Sequence, residues 1–161
     1  MRFSEEDLFC NDIRWFAIDK NGYVFSCTSA GTFNVPEFVC KSQENTCVLE
    51  NFFLFSSEFS NLDIKIEKFS YELDYDLIGE EDVILLDRGI SSFDSIIKYE
   101  TIDNEKDFEI HPYWYKKLTF PKKPLHFNQL PKNIQNIMNY HKIQIDSRQI
   151  KYFFVPPIYK E

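Results

Sequence analysis

The stretch Ile13-Arg14-Trp15-Phe16-Ala17-Ile18-Asp19-Lys20-Asn21-Gly22-Tyr23-Val24-Phe25-Ser26-Cys27-Thr28 decides the fold class. Two runs rich in β-branched and aromatic residues flank Lys20-Asn21-Gly22, and Asn-Gly supplies the positive φ angles that a tight hairpin turn demands. The segment therefore predicts an antiparallel hairpin. Ser29 to Asn34 follows as a loop, and Pro36 stands where a first helical turn tolerates a missing N–H.

Working outward, residues from Pro36 to about Phe59 predict helix in two pieces, with Val48, Phe52 and Phe55 as one apolar stripe facing the core. Residues 62 to 79 fit two periods. Phe69, Tyr71, Leu73, Tyr75 and Leu77 alternate as a strand does, whereas Leu62, Ile66, Phe69, Leu73 and Leu77 recur as a helix face does. Glu80 to Asp87 reads as a helix that opens with acids at its positive end and closes at Arg88-Gly89. Phe93 to Tyr99 and Tyr113 to Phe120 read as strands joined by an acidic loop, Glu100 to Glu109. Pro131 opens a short helix carrying Ile134, Ile137, Met138 and His141, and Ile150 to Val155 reads as a last strand. Elements mix without strict βαβ alternation. The expectation is one α+β domain over residues 1–161, with an N-terminal hairpin, a largely antiparallel sheet and helices packed against it.

At 161 residues the chain suits a single core, and 17% aromatic content is incompatible with disorder throughout. The formal net charge is −8. It is unevenly spread: residues 1–110 carry −15 and residues 111–161 carry +7. A negative molecule repels phosphate, so nucleic acid and anionic membranes are not expected partners, despite Lys116, Lys117, Lys122 and Lys123. The start, Met1-Arg2-Phe3-Ser4-Glu5-Glu6-Asp7, is acidic and lacks the apolar run of a secretory signal, and no apolar stretch reaches the roughly 18 residues that span a bilayer. The expected location is cytoplasmic. Cys10, Cys27, Cys40 and Cys47 contain no CxxC pair and read as reduced, buried thiols, with Cys40 and Cys47 seven apart on one helix face.

Glu72, Asp74, Asp76, Glu80, Glu81 and Asp82 form the densest acid cluster, and carboxylates are what calcium and magnesium require. An EF-hand loop counted from Asp74 fails, because Ile78 and Leu85 fall at positions that need oxygen ligands. A solvated acidic face that docks a basic partner is the preferred reading, with no metal and no cofactor. His111, His126 and His141 lack metal-ligand spacing, and His141 continues an apolar helical stripe as a core histidine. GxSxG and cysteine-protease signatures are absent, which leaves no recognisable catalytic set. Thr28-Ser29-Ala30-Gly31-Thr32 fits no phosphate-binding motif, and its hydroxyls read as local hydrogen-bond partners.

The hairpin with Thr28-Ser29-Ala30-Gly31 and Val35-Pro36, then Arg88-Gly89-Ile90-Ser91-Ser92-Phe93-Asp94, then Tyr115 through Phe120-Pro121, Pro124-Leu125 and Leu130-Pro131, resemble a family of small, poorly characterised bacterial α+β proteins. Many of these are thought to be immunity partners of secreted toxins. The resemblance implies an intracellular binding protein without a cofactor, and marks Arg88-Gly89 and Asp94 as positions of interest. Two readings compete: an immunity protein that neutralises a basic toxin domain through Glu72, Asp74, Asp76, Glu80, Glu81 and Asp82, and a small enzyme whose site is assembled from scattered polar residues.

Overall fold

The hairpin forms between β1 (Arg14–Ile18) and β2 (Val24–Thr28), with Trp15 opposite Cys27 and Phe16 opposite Ser26. Its turn is longer than a two-residue Asn-Gly connection. Gly22 N–H donates to the Asp19 carbonyl at 3.1 Å, Asp19 N–H to the Tyr23 carbonyl at 2.9 Å, and within the turn Gly22 alone has positive φ, +85°. This is a three-residue loop closed by a left-handed glycine, and Asn21 keeps an ordinary conformation. Asp19 organises it: Oδ1 accepts from the N–H groups of Asn21 (2.9 Å) and Tyr23 (3.0 Å), while Oδ2 accepts from Ser147 Oγ (2.6 Å).

The computed structural model describes residues 1–57, 70–72, 78–95 and 114–156. The two-way reading of 62 to 79 falls mostly outside these residues, as do the expected loop Glu100 to Glu109 and the second half of the strand expected over Phe93 to Tyr99. Within the described residues the remaining strands are β3 (Ser70–Glu72), β4 (Ser91–Ser95), β5 (Trp114–Pro121) and β6 (Tyr152–Phe154). The sheet runs β1-β2-β4-β5, and β3 and β6 share the far edge of β5. Every pairing is antiparallel except β2 with β4, so the protein is α+β with a largely antiparallel sheet.

Five α-helices accompany it: α1 (Glu5–Cys10), α2 (Glu37–Cys40), α3 (Gln43–Glu50), α4 (Glu80–Asp87) and α5 (Lys132–Met138). Ser4 and Asp7 exchange capping hydrogen bonds at α1, an element the apolar pattern alone did not mark. The helix expected from Pro36 onward is broken at Lys41-Ser42, where Ser42 restarts it by capping Asn45 N–H at 3.1 Å. After α3 the chain widens into a π-helical stretch, Asn51–Phe55. A π turn holds more residues than an α turn and so shifts the phase of everything beyond it. The expected stripe holds only at Phe52: Phe53 and Leu54 are buried beside it, Phe55 at the end of the π stretch is 66% exposed, and Val48, which precedes the stretch in α3, is 43% exposed. The break also separates Cys40 from Cys47. Cys27 and Cys40 are buried and burial raises both thiols, Cys40 to about 11, but Cys10 and Cys47 lie at the surface, contrary to the expectation of four buried thiols.

All five residues of β1 are buried because both faces of the sheet are covered. On one face Trp15, Phe25, Phe93, Tyr115 and Phe153 meet α1, α2 and the loop carrying Phe33 and Val35. Trp15 Nε1–H donates to Tyr115 Oη at 3.0 Å, and that hydroxyl donates on to the Asn34 carbonyl, so each polar tip in this aromatic core has a partner. On the other face Phe16, Ile18 and Val24 meet Leu49, the π-helical stretch, Leu85 of α4 and Ile134 of α5. The outer edge of β1 is bonded as well. Ile18 N–H donates to the His141 carbonyl (2.8 Å), Ile143 N–H to the Ile18 carbonyl (3.1 Å), and Lys20 N–H to the Ile145 carbonyl (3.0 Å). His141 is buried in this seam, and since a carbonyl only accepts, its Nδ1 carries the proton donated to Phe16 at 3.0 Å.

Two glycines close turns under different constraints. A Cβ at Gly22 would lie 2.6 Å from His126 Nε2, a side chain able to swing aside, whereas at Gly89 (φ +82°) it would lie 2.8 Å from the Lys123 carbonyl oxygen and 2.9 Å from Leu125 N. Gly22→Ala is expected to cost about 1–2 kcal/mol from its φ alone, and Gly89→Ala more, because backbone has to move. Urea denaturation of the two variants checks the order, and a Gly22→Ala that proves the costlier of the two contradicts it.

Candidate functional site

Arg14 opens β1 on the face of the sheet that it shares with Phe16 and Ile18, yet it is only 8% exposed. A buried guanidinium must be paired. Its Nη2 donates to Asp82 Oδ1 at 3.0 Å, its Nε to Glu81 Oε2 at 3.2 Å, and its Nη1 to Ser26 Oγ at 3.1 Å. Asp82 is the third residue of α4, and its other oxygen accepts the N–H of Gly79, the helix N-cap, at 2.9 Å. One carboxylate thus caps the helix and anchors it to the sheet.

Hydroxyls extend this cluster across the strands. Ser26 Oγ lies 3.1 Å from Ser92 Oγ on β4, and Thr28 Oγ1 donates to Asp94 Oδ1 at 2.7 Å. Beside them Asp12 Oδ1 accepts the N–H of Ala30, which sits at φ +53° in the loop after β2. The hydroxyls of that loop bond locally only in part: Thr32 Oγ1 donates to the Ser29 carbonyl (2.6 Å), whereas Ser29 Oγ accepts from Ile13 N–H (2.8 Å) across the strand and Thr28 Oγ1 reaches Asp94 on β4.

Among the described residues, the carboxyls near Arg14 outnumber the cations that bond them. Burial pushes the Asp94 carboxyl up to about 6, the Thr28 hydrogen bond pulls it down, and the charges of Asp12 and Asp82 push it up further. Glu50, at the end of α3, is raised by burial and then by Glu81, with Arg14 opposing. Asp12, Arg14 and Glu50 also line a shallow cavity of about 220 Å³ with Thr46 and Cys47. Asp12, Glu50, the Glu81-Asp82 pair and Asp94 come from four separate parts of the chain and gather in one region of the fold.

The residues expected from sequence divide as follows. Glu80 is exposed, and Glu81 is exposed while bonded to Arg14. Asp82 is 5% exposed, so it belongs to the buried ion pair and not to a solvated acidic face. Glu72 is in backbone register with Thr119 in β3. Asp74 and Asp76 lie outside the described residues, as does His111. Asp12 and Glu50 are additions that the sequence reading missed, and Asp94, outside the linear acid cluster, is a position that the resemblance had marked. The available signal was Arg14, a charge inside an otherwise apolar strand. His126 bonds to the hairpin, with Nε2 2.9 Å from the Asn21 carbonyl oxygen, remote in role from His141. Among the described residues no group of three or more His, Cys, Asp and Glu is placed to hold a metal ion, and no helix is long and apolar enough to cross a membrane. No protein-family model, curated protein or solved structure matches the chain.

Two measurements test this geometry. Arg14→Met leaves Asp82 buried without its cation and is expected to cost about 3–5 kcal/mol, read from urea denaturation. Asp94 is raised in the fold above its ordinary value of 3.8. The folded state then holds its proton more tightly than the unfolded state does, so stability is greatest below about 4 and declines as pH rises to about 6. Asp94→Asn, which still accepts from Thr28, is expected to flatten that decline and to melt higher than wild type at pH 7.5 but not at pH 3.5.

Proposed function

We propose that the chain is a binding protein of the immunity type, which neutralises a bacterial toxin by laying the acidic cluster around Arg14 on a basic surface of its partner. The observation that supports this reading most is the grouping of Asp12, Glu50, Glu81 and Asp94 around the Arg14–Asp82 ion pair, with Asp94 and Glu50 raised first by burial and then by their acidic neighbours. Such a surface carries negative potential that the protein itself does not neutralise, and a partner's Lys or Arg relieves it. Toxins that cleave nucleic acid need positive charge to hold phosphates, and an acidic protein can cover that same surface. The exposed Glu80 and Glu81 at the start of α4 extend the cluster outward.

The competing enzyme reading calls for a deep pocket with convergent polar groups. The cavity beside Arg14, about 220 Å³, is below the roughly 300–1,000 Å³ of ordinary ligand pockets. A larger hollow of about 360 Å³ between Val48, Phe55 and Ile134 is lined without any titratable side chain. Neither favours catalysis.

The partner to assay is the product of the gene immediately upstream. Its association rate is expected to fall steeply as salt rises from about 0.01 M to 0.15 M, where the Debye length shrinks from about 30 Å to 8 Å. Glu50→Gln, Glu80→Gln and Glu81→Gln combined should slow association by about tenfold or more at low salt. An association rate indifferent both to salt and to the triple variant overturns the acidic-face reading.

A further inference from the structure

Lys117 is one of four lysines that a linear count would assign to a basic arm, yet it is 4% exposed. It lies on β5 opposite Phe93 of β4, on the Trp15 side of the sheet, away from the acidic cluster. Its ammonium rests over the rings of Phe93 (5.6 Å to the centroid) and Phe120 (5.1 Å). Among the described residues it has neither an ion pair nor a hydrogen bond. Cation–π attraction offsets part of the burial cost, but an ammonium has three N–H donors that rings satisfy poorly.

A second cation stands across the strand pair. Lys117 N–H donates to the Lys151 carbonyl at 2.8 Å, which continues the β5–β6 register by one step and places the two lysines opposite each other. Like charges facing across a ladder destabilise it. Lys117, Lys151, Lys116 and Tyr152 enclose a cavity of about 150 Å³. Burial lowers Lys117 to about 8 while Asp146 acts in the opposite direction, so the ammonium is mostly charged at neutral pH.

We propose that Lys117 and Lys151 form a binding site for one phosphate group, free or as the monoester of a small molecule. The group would supply an acceptor for the Lys117 ammonium where it reaches the cavity, and a negative charge between two facing cations. Two facing cations at so small a cavity favour a doubly charged oxyanion over a singly charged carboxylate. The site is independent of the acidic face and stands or falls separately from it.

The test titrates the intact protein with inorganic phosphate, methyl phosphate, acetate and chloride at matched ionic strength, following the Lys117 side-chain resonances by NMR. Saturable one-to-one binding of phosphate or methyl phosphate, with acetate and chloride weaker, is the expected result, and the tighter of the two phosphates identifies the source. Lys117→Met keeps the apolar stem over both rings and should weaken binding by about tenfold or more, since a hydrogen bond to a charged group contributes about 1.5–3 kcal/mol. Lys151→Gln, a surface change, should weaken it severalfold and carries the test if Lys117→Met does not fold. Equal responses to phosphate and chloride, or unchanged phosphate affinity in the folded variants, overturn the proposal.

Discussion

Burying one guanidinium in the sheet obliges the rest of the protein to answer it. Arg14 cannot keep its charge at 8% exposure unless carboxylates come to it, and they come from α4, sixty-seven and sixty-eight positions later in the chain. Asp82 meets the requirement with one oxygen and caps α4 with the other, so helix start and helix position are fixed by the same side chain. Where α4 lies in turn determines where Leu85 enters the core beside Phe16 and Phe53. The ion pair is thus a positional device: it selects one docking of α4 among the several that its apolar residues would tolerate.

The same pairing explains the electrostatic unevenness of the molecule. Carboxyls outnumber the cation near Arg14, and Asp94 and Glu50 are raised first by burial and then by the acids beside them. On the reverse face a lysine sits over aromatic rings with no acid bonded to it.

Legibility in the sequence followed the range of the forces involved. The hairpin and α4 could be read because local chemistry sets them: a glycine able to hold φ +85° between two β-rich arms, and acids then Arg88-Gly89 bracketing Glu80–Asp87. In the apolar stripe Val48, Phe52, Phe55, Phe52 is buried as expected but Phe55 was misread because a π turn changes the period there, and nothing in Asn51-Phe52-Phe53-Leu54-Phe55 announces it. The parallel pairing of β2 with β4, in which Ser26 meets Ser92, depends on contacts distant in sequence and leaves no local trace. The candidate site was half legible for the same reason. A run such as Glu80-Glu81-Asp82 is visible in one dimension, but its inward and outward members are separated only by the facing Arg14, and Asp12, Glu50 and Asp94 join it only through the fold.

The seam along β1 has a further consequence. A strand of Arg-Trp-Phe-Ala-Ile at the border of a sheet offers unpaired backbone groups and a highly apolar template, the combination from which intermolecular strand addition grows. Here residues 141–145 occupy that border, and a neutral imidazole takes the Phe16 carbonyl that would otherwise await another chain. The final third of the sequence, besides contributing its own strand, thus acts as a guard against self-assembly. Loss of the seam would convert the best-formed element of the fold into the nucleus of an aggregate while leaving the hairpin itself intact.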